Sequence, residues 1–218
     1  MSAQQMQVYR NLQAAYAKLG RKPVTTASTL RLMQPVVANK TVYTFPVING
    51  ESGTTFAEQI LLNRADAFTA MQIGVFIGGQ TDAGAADTVN KYQLFGFQSE
   101  AMTAGGLTNV NSLFMHSRLD IAVNNVNYLN NWDLYRTYGA PIIQTGNIFS
   151  TGGDTTAPNS VDGSANGFAD LTPTLQFSGT AKIDITISLP VALALTNAAQ
   201  INLFFRGFLS LGASNLNK

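Results

Sequence analysis

Residues 182–189 alternate strictly. Ile183, Ile185, Ile187 and Leu189 fall on one side, and Lys182, Asp184, Thr186 and Ser188 on the other. A period of two places successive side chains on opposite faces, so the pattern predicts a half-buried β-strand. Residues 118–123 obey the same rule, with Leu119, Ile121 and Val123 set against Arg118 and Asp120. Residues 29–38 and 41–48 are β-branched and aromatic runs parted by a turn at Asn39-Lys40. Residues 71–77 are largely apolar and stop at Gly78-Gly79, which reads as a fully buried strand. Residues 91–97 alternate around aromatic positions. Residues 174–178 precede 182–189 across Gly179-Thr180, and the pair reads as a hairpin. The last run, 201–211, sets Ile201, Leu203, Phe205 and Leu209 against Asn202, Phe204, Arg206 and Phe208. Both faces carry apolar residues, which suits a strand inside a sandwich or between subunits. Residues 54–65 fit a helix or a strand equally well.

The period differs before Pro23. Met6, Tyr9, Leu12, Tyr16 and Leu19 recur at spacings of three and four, which predicts one apolar stripe of a helix over 2–20. Ser2 and Gln5 fit a capping box, Gly20 fits the C-terminal stop, and Pro23 blocks continuation. Such a helix can serve an outside partner or dock on its own β domain, and both readings stay open. Three stretches, 78–87, 103–109 and above all 150–167, consist of small and polar residues and read as loops. The whole adds up to about ten strands with close turn signals and little helix, an all-β pattern of the sandwich or jelly-roll kind.

Charge changes this picture. Only 11% of the 218 residues are charged, against about 25% in ordinary soluble domains. Hydrophobic residues make up 45% and aromatics 10%, which is ample for a core. A charge-poor surface suits a subunit covered by neighbours. The few charges are also sorted. The first acid is Glu51, and before it stand Arg10, Lys18, Arg21, Lys22, Arg31 and Lys40. That segment is +6, and the remaining seven bases against twelve acids give −5, for the net +1. A basic arm on a weakly acidic body points to a polyanion, either nucleic acid or an anionic lipid surface.

The inventory of reactive groups is thin. There is no cysteine, which excludes disulfides, thiolate catalysis and cysteine-based zinc sites. No run approaches the roughly 18 apolar residues that span a bilayer, and no signal-peptide core opens the chain, so synthesis in a host cytoplasm is expected. The single histidine, His116, is the one candidate base for a Ser-His-Asp set with Ser112 or Ser117 and Asp120. Nothing but nearness in sequence joins these residues. Residues 162–170 have the Asp, Asn and Gly of a calcium loop but lack its closing glutamate. No phosphate-binding loop is present. The expectation is a protein that is not an enzyme and needs no cofactor or metal. Residues 124–135 are the most distinctive segment, with Trp132, Tyr128, Tyr135 and five asparagines. They fit core or interface anchors, or a sugar-stacking surface.

The helix over 2–19 with Arg10, Lys18, Arg21 and Lys22, the strand series from 29 to 211, and the long 150–167 loop together resemble the jelly-roll major capsid proteins of small tailless phages with an internal membrane. The resemblance implies two upright sandwiches in one chain, here 23–118 and 119–218 after an arm over 1–22. About ten strands fall short of the sixteen that two rolls need, so one roll over 23–218 is the alternative. It also implies a virion protein that forms trimers and then an icosahedral shell with other capsid proteins. The arm would lie on the inner face near lipid or, as the less favoured partner, genome. Arg10, Lys18, Arg21 and Lys22 would face that partner. Trp132, Tyr135, Phe204 and Phe208 would serve as core or interface anchors. The rival reading is a β-sandwich spike or lectin-like receptor-binding module.

Overall fold

The computed structural model describes residues 3–51, 58–80, 92–95, 109–138, 167–194 and 199–214. Helix α1 spans Ala3–Lys18. It closes as the sequence predicts. Gly20 takes a left-handed φ of 68°, the Gly20 amide donates to Ala17 O at 3.0 Å, and the Arg21 amide donates to Tyr16 O at 3.0 Å. These are the paired bonds of a Schellman motif, which satisfy carbonyls that the helix end would otherwise leave open.

Among the described residues nine strands follow: β1 (Thr25–Pro35), β2 (Val42–Phe45), β3 (Ala67–Gln80), β4 (Tyr92–Phe95), β5 (Arg118–Val123), β6 (Val126–Asp133), β7 (Phe168–Ser178), β8 (Ile183–Ser188) and β9 (Ala199–Ser210). A second helix, α2 (Val110–His116), precedes β5, and a 3-10 helix over Leu134–Thr137 follows β6. All pairings between strands are antiparallel and form two sheets. Sheet A runs β1-β9-β3, with β7 and β4 each pairing part of the far side of β3. Sheet B runs β2-β8-β5-β6. The chain is thus mostly β, a sandwich with a short N-terminal helix.

One core joins the sheets. Sheet A sends in Leu30, Leu32, Ile73, Val75, Leu175, Phe177, Leu203 and Phe205, and sheet B sends in Tyr43, Phe45, Leu119, Ile121, Ile185 and Ile187. Phe177 and Phe205 meet edge to face at 5.2 Å between centroids. The strict alternation in 118–123 and 182–189 is realised in full: the odd positions are buried and the even ones look outward.

The long central strand β9 lies between β1 and β3. Its pairing with β3 slips at Met71, where Ala70 faces Gly207 and Gln72 faces Arg206. A Cβ on Gly207 would run into the carbonyl oxygen of Thr69, so the bulge requires glycine.

The structure corrects several expectations. Segments 174–178 and 182–189 are not a hairpin. β7 pairs with β3 in sheet A, whereas β8 pairs with β2 and β5 in sheet B. The chain crosses the core at Gly179, whose amide donates to Asp66 O at 2.9 Å and where an added Cβ would run into the backbone of Asn63 and Arg64. A tight turn serves a hairpin or a crossover alike, and burying both apolar faces against each other selects the crossover. Residues 126–133 are a strand, paired with β5 through a two-residue turn. Asn124 and Asn125 have φ of 51° and 64°, the doubly left-handed turn that favours asparagine. Residues 58–62 are neither a helix nor a full strand, but make single bridges from Ile60 to Arg31 and from Leu62 to Ile48. The boundary expected at 118/119 falls at the first residue of β5, and hydrogen bonds cross it freely: β1 pairs with β9 and β2 with β8. The described strands therefore do not separate into 23–118 and 119–218. The loop over 150–166 and the Ser2 cap lie outside the described residues.

Candidate docking surfaces

The outer face of sheet A is the richest surface. On β9 it carries Phe204, Arg206 and Phe208; opposite them, β1 contributes Arg31, and β3 and β7 contribute Phe76 and Phe168. Phe76, Phe168 and Phe204 pack mutually at 5.4 to 6.4 Å between ring centroids. Two guanidinium groups cover them, Arg206 over Phe168 at 3.7 Å and Arg31 over Phe204 at 5.3 Å. Arg31 is pinned there. Its Nε and Nη2 both donate to Asn202 Oδ1, at 3.3 and 3.2 Å. Burial draws its pKa down from the ordinary value, and the Glu58 carboxylate opposes that shift.

Helix α1 lies on the neighbouring part of the same face. Tyr9 meets Phe208 at 5.6 Å. Tyr16 and Leu12 pack with Ala67 and Ala213. The predicted stripe is therefore used inside the chain, except at its ends, where Met6 and Leu19 are exposed. The fit is imperfect in one respect. Tyr16 is buried, yet its hydroxyl has no hydrogen-bond partner among the described residues. A cleft of about 310 Å³ remains between α1 and the sheet, lined by residues that include Gln5, Thr29, Met71 and Arg206.

Of the four arm cations, Arg10 and Lys18 lie elsewhere on α1, and Arg21 and Lys22 follow its end. Arg10, Lys18, Arg21 and Lys22 are all exposed. Among the described residues the ion pairs are Arg118–Asp133 at 3.2 Å and Lys182–Asp184 at 3.0 Å, and neither includes an arm cation.

The outer face of sheet B is plainer. Its outward positions include Thr44, Thr186, Ser188, Arg118, Asp120 and Asp184. At its edge, Asp120 Oδ1 accepts from the Asn131 amide at 2.7 Å, and Asn131 takes φ of 51°.

The expected anchors divide. Phe208 is buried under Tyr9, and Phe204 is half-buried in the aromatic cluster. Trp132 packs against the edge of the core and is covered by Arg136 at 5.9 Å. Tyr135 is 56% exposed and stacks on Tyr138 with ring planes 11° apart. The sugar-stacking reading centred on Trp132 thus has a half-buried ring at its centre and two exposed tyrosines in the same segment, Tyr128 and Tyr135.

The serine, histidine and aspartate near 116 are engaged separately. His116 is exposed at the end of α2. Ser112 Oγ donates to Val191 O at 2.7 Å, and Ser117 Oγ donates to Leu113 O. Asp120 is taken by Asn131, and none of these bonds includes His116. The candidate calcium loop lies outside the described residues up to 166; Asp170 belongs to β7, where it accepts from Gln72 Nε2 at 2.9 Å.

Sequence reasoning missed α2 and the aromatic cluster. Val110, Leu113 and Phe114 recur at helical spacing and are all buried, a signal long enough for two turns. Phe76 and Phe168 are nearly a hundred residues apart, and only the β3–β7 pairing joins them. No family model, no curated protein and no solved structure matches the chain.

Proposed function

We propose that the chain is a single jelly-roll subunit of a closed virion shell. With β4 set aside as an addition to β3, the other eight described strands form two four-stranded sheets in the order β1-β9-β3-β7 and β2-β8-β5-β6, the chain changing sheet at every step but β5 to β6. That order supports the one-roll alternative over 23–218. Jelly rolls of this kind serve shells and lectins alike, so fold leaves function open.

The observation that carries the shell reading is the polarity of the subunit. The outer face of sheet A bears α1 and the cations on and just after it, none of which is in an ion pair among the described residues. Sheet B turns out threonine, serine and three aspartates, Asp120, Asp133 and Asp184, against Arg118 and Lys182. A brick with a cationic side and a neutral to weakly acidic side suits a wall with an anionic interior. The low charge of the chain suits burial between neighbours, where many weak contacts sum in a closed assembly. In this reading the subunits form oligomers, as the trimers of the resembling capsid proteins do, and the protein resides in the virion. The reading assigns no catalytic role and no cofactor.

Light scattering across a concentration series tests it. The shell reading expects oligomers that grow into sheets or closed particles. A monomer at every concentration that binds a glycan array supports the receptor-binding rival instead.

A further inference from the structure

We infer that the outward face of α1, with the turn that follows it, binds the sugar-phosphate backbone of a nucleic acid. The structure settles which side of the helix is free. At 3.6 residues per turn, Tyr9, Leu12 and Tyr16 share one side, and that side is on sheet A. The opposite side presents Gln4, Gln7, Arg10, Asn11, Ala14 and Lys18, all exposed. Arg10 and Lys18 are about 12 Å apart along the axis. The Schellman turn then swings Arg21 and Lys22 out beyond the end of the helix. Four cations stand together, none of them in an ion pair among the described residues, in a segment whose first fifty residues hold no acid.

The uncharged residues on that side decide between the two polyanions. A helix adsorbed on a bilayer needs large apolar side chains between its bases, and here those side chains are spent on the protein's own sheet. Met6 and Leu19 sit at the flanks of the stripe, and Val24 comes after the turn, so the three exposed apolar side chains form no continuous row with one another. The free side has amides instead. Gln7 Nε2 already donates to Asn11 Oδ1 at 3.2 Å, and such side chains bond phosphate and sugar oxygens as readily as one another. Tyr9 and Tyr16 are turned inward, so no aromatic ring is available for stacking on bases. Recognition is therefore of backbone charge and indifferent to sequence. This deepens the shell reading, on which the identity of the nucleic acid as the packaged genome rests.

The test is fluorescence anisotropy of a labelled oligothymidine of about 30 nucleotides, titrated with full-length protein. Beside it run vesicles of phosphatidylcholine with phosphatidylglycerol. Four backbone contacts on a single strand give a log–log salt slope near −2.8, so affinity falls about 50-fold between about 50 and 200 mM salt. The variant Arg10→Gln, Lys18→Gln, Arg21→Gln, Lys22→Gln loses at least about tenfold at the lower salt and flattens the slope. A control, Arg118→Gln with Lys182→Gln on sheet B, binds as the parent does. Three results overturn the inference: unchanged affinity in the fourfold variant, equal loss in the control, or tighter binding to vesicles than to DNA through the same four residues. Shells without DNA affinity overturn this inference and leave the shell reading standing. DNA affinity without shells supports the inference and overturns that reading.

Discussion

Sheet B turns one apolar face inward and a short-chain polar face outward. Sheet A is apolar on both sides, inward to the shared core and outward to α1 and a cluster of three phenylalanines. The two differ because, among the described residues, only sheet A carries a second layer. An ordinary sandwich sheet needs one buried face, and its alternation reports that at once. A sheet with a second layer buries more, and on its outer face it can hold groups in fixed positions. Arg31 and Arg206, parked over Phe204 and Phe168, are held in this way. The comparison assigns structural rigidity and the cationic surface to the same side of the molecule, and leaves sheet B as the side open to substitution.

The comparison can be broken most severely at the centre of sheet A. Gly207→Ala should cost about 3 kcal/mol or more, because the new Cβ meets the Thr69 carbonyl between two central strands. Urea unfolding measures it, and a loss below about 1 kcal/mol would mean that the bulge at Met71 relaxes freely.

Removing residues 1–22 is the next largest change. It uncovers Phe208 and Ala67 and should lower stability by about 2–3 kcal/mol, while unfolding stays a single transition. Loss of the folded state altogether would show α1 to be part of the main core.

Tyr16→Phe sharpens the same point with the opposite sign. The hydroxyl is buried without a partner, so its removal should raise stability by about 1 kcal/mol. A loss of that size would reveal a bond to ordered water.

On sheet B, Thr186→Ala and Lys182→Gln should each stay within about 0.5 kcal/mol, since Thr186 looks outward and the Lys182–Asp184 pair is solvent-exposed. A larger cost would end the contrast between the sheets.

The same contrast explains what could be read from the chain. β5 and β8 were fully legible, because one face is wet and their alternation is strict. The helix and its stop at Gly20 were legible too, down to the turn that ends it. The partner of the stripe was not, since Tyr9, Leu12 and Tyr16 suit any apolar surface and only Phe208, Ala67 and Ala213 show which one they meet. The place of β7 was lost for a related reason. Leu175 and Phe177 mark a buried face, but alternation is silent about whether the next strand lies beside it or across the core. β6 was obscured by its asparagines, two of which form the turn that starts it and one of which, Asn131, lies at a break in its pairing with β5. Arg10, Lys18, Arg21 and Lys22 were visible as a charge cluster from the sequence. That they face away from the body required the docked helix.

The central claim is a polarised shell subunit with α1 on the enclosed side. Limited trypsin digestion of free subunits and of assembled particles tests it most directly, read by intact mass. The account predicts rapid cleavage after Arg10, Lys18 or Arg21 in free subunits, Lys22 being shielded by Pro23, and protection of all three sites in particles. Equal cleavage in both, or a protein that forms no particles under any assembly condition, would contradict it.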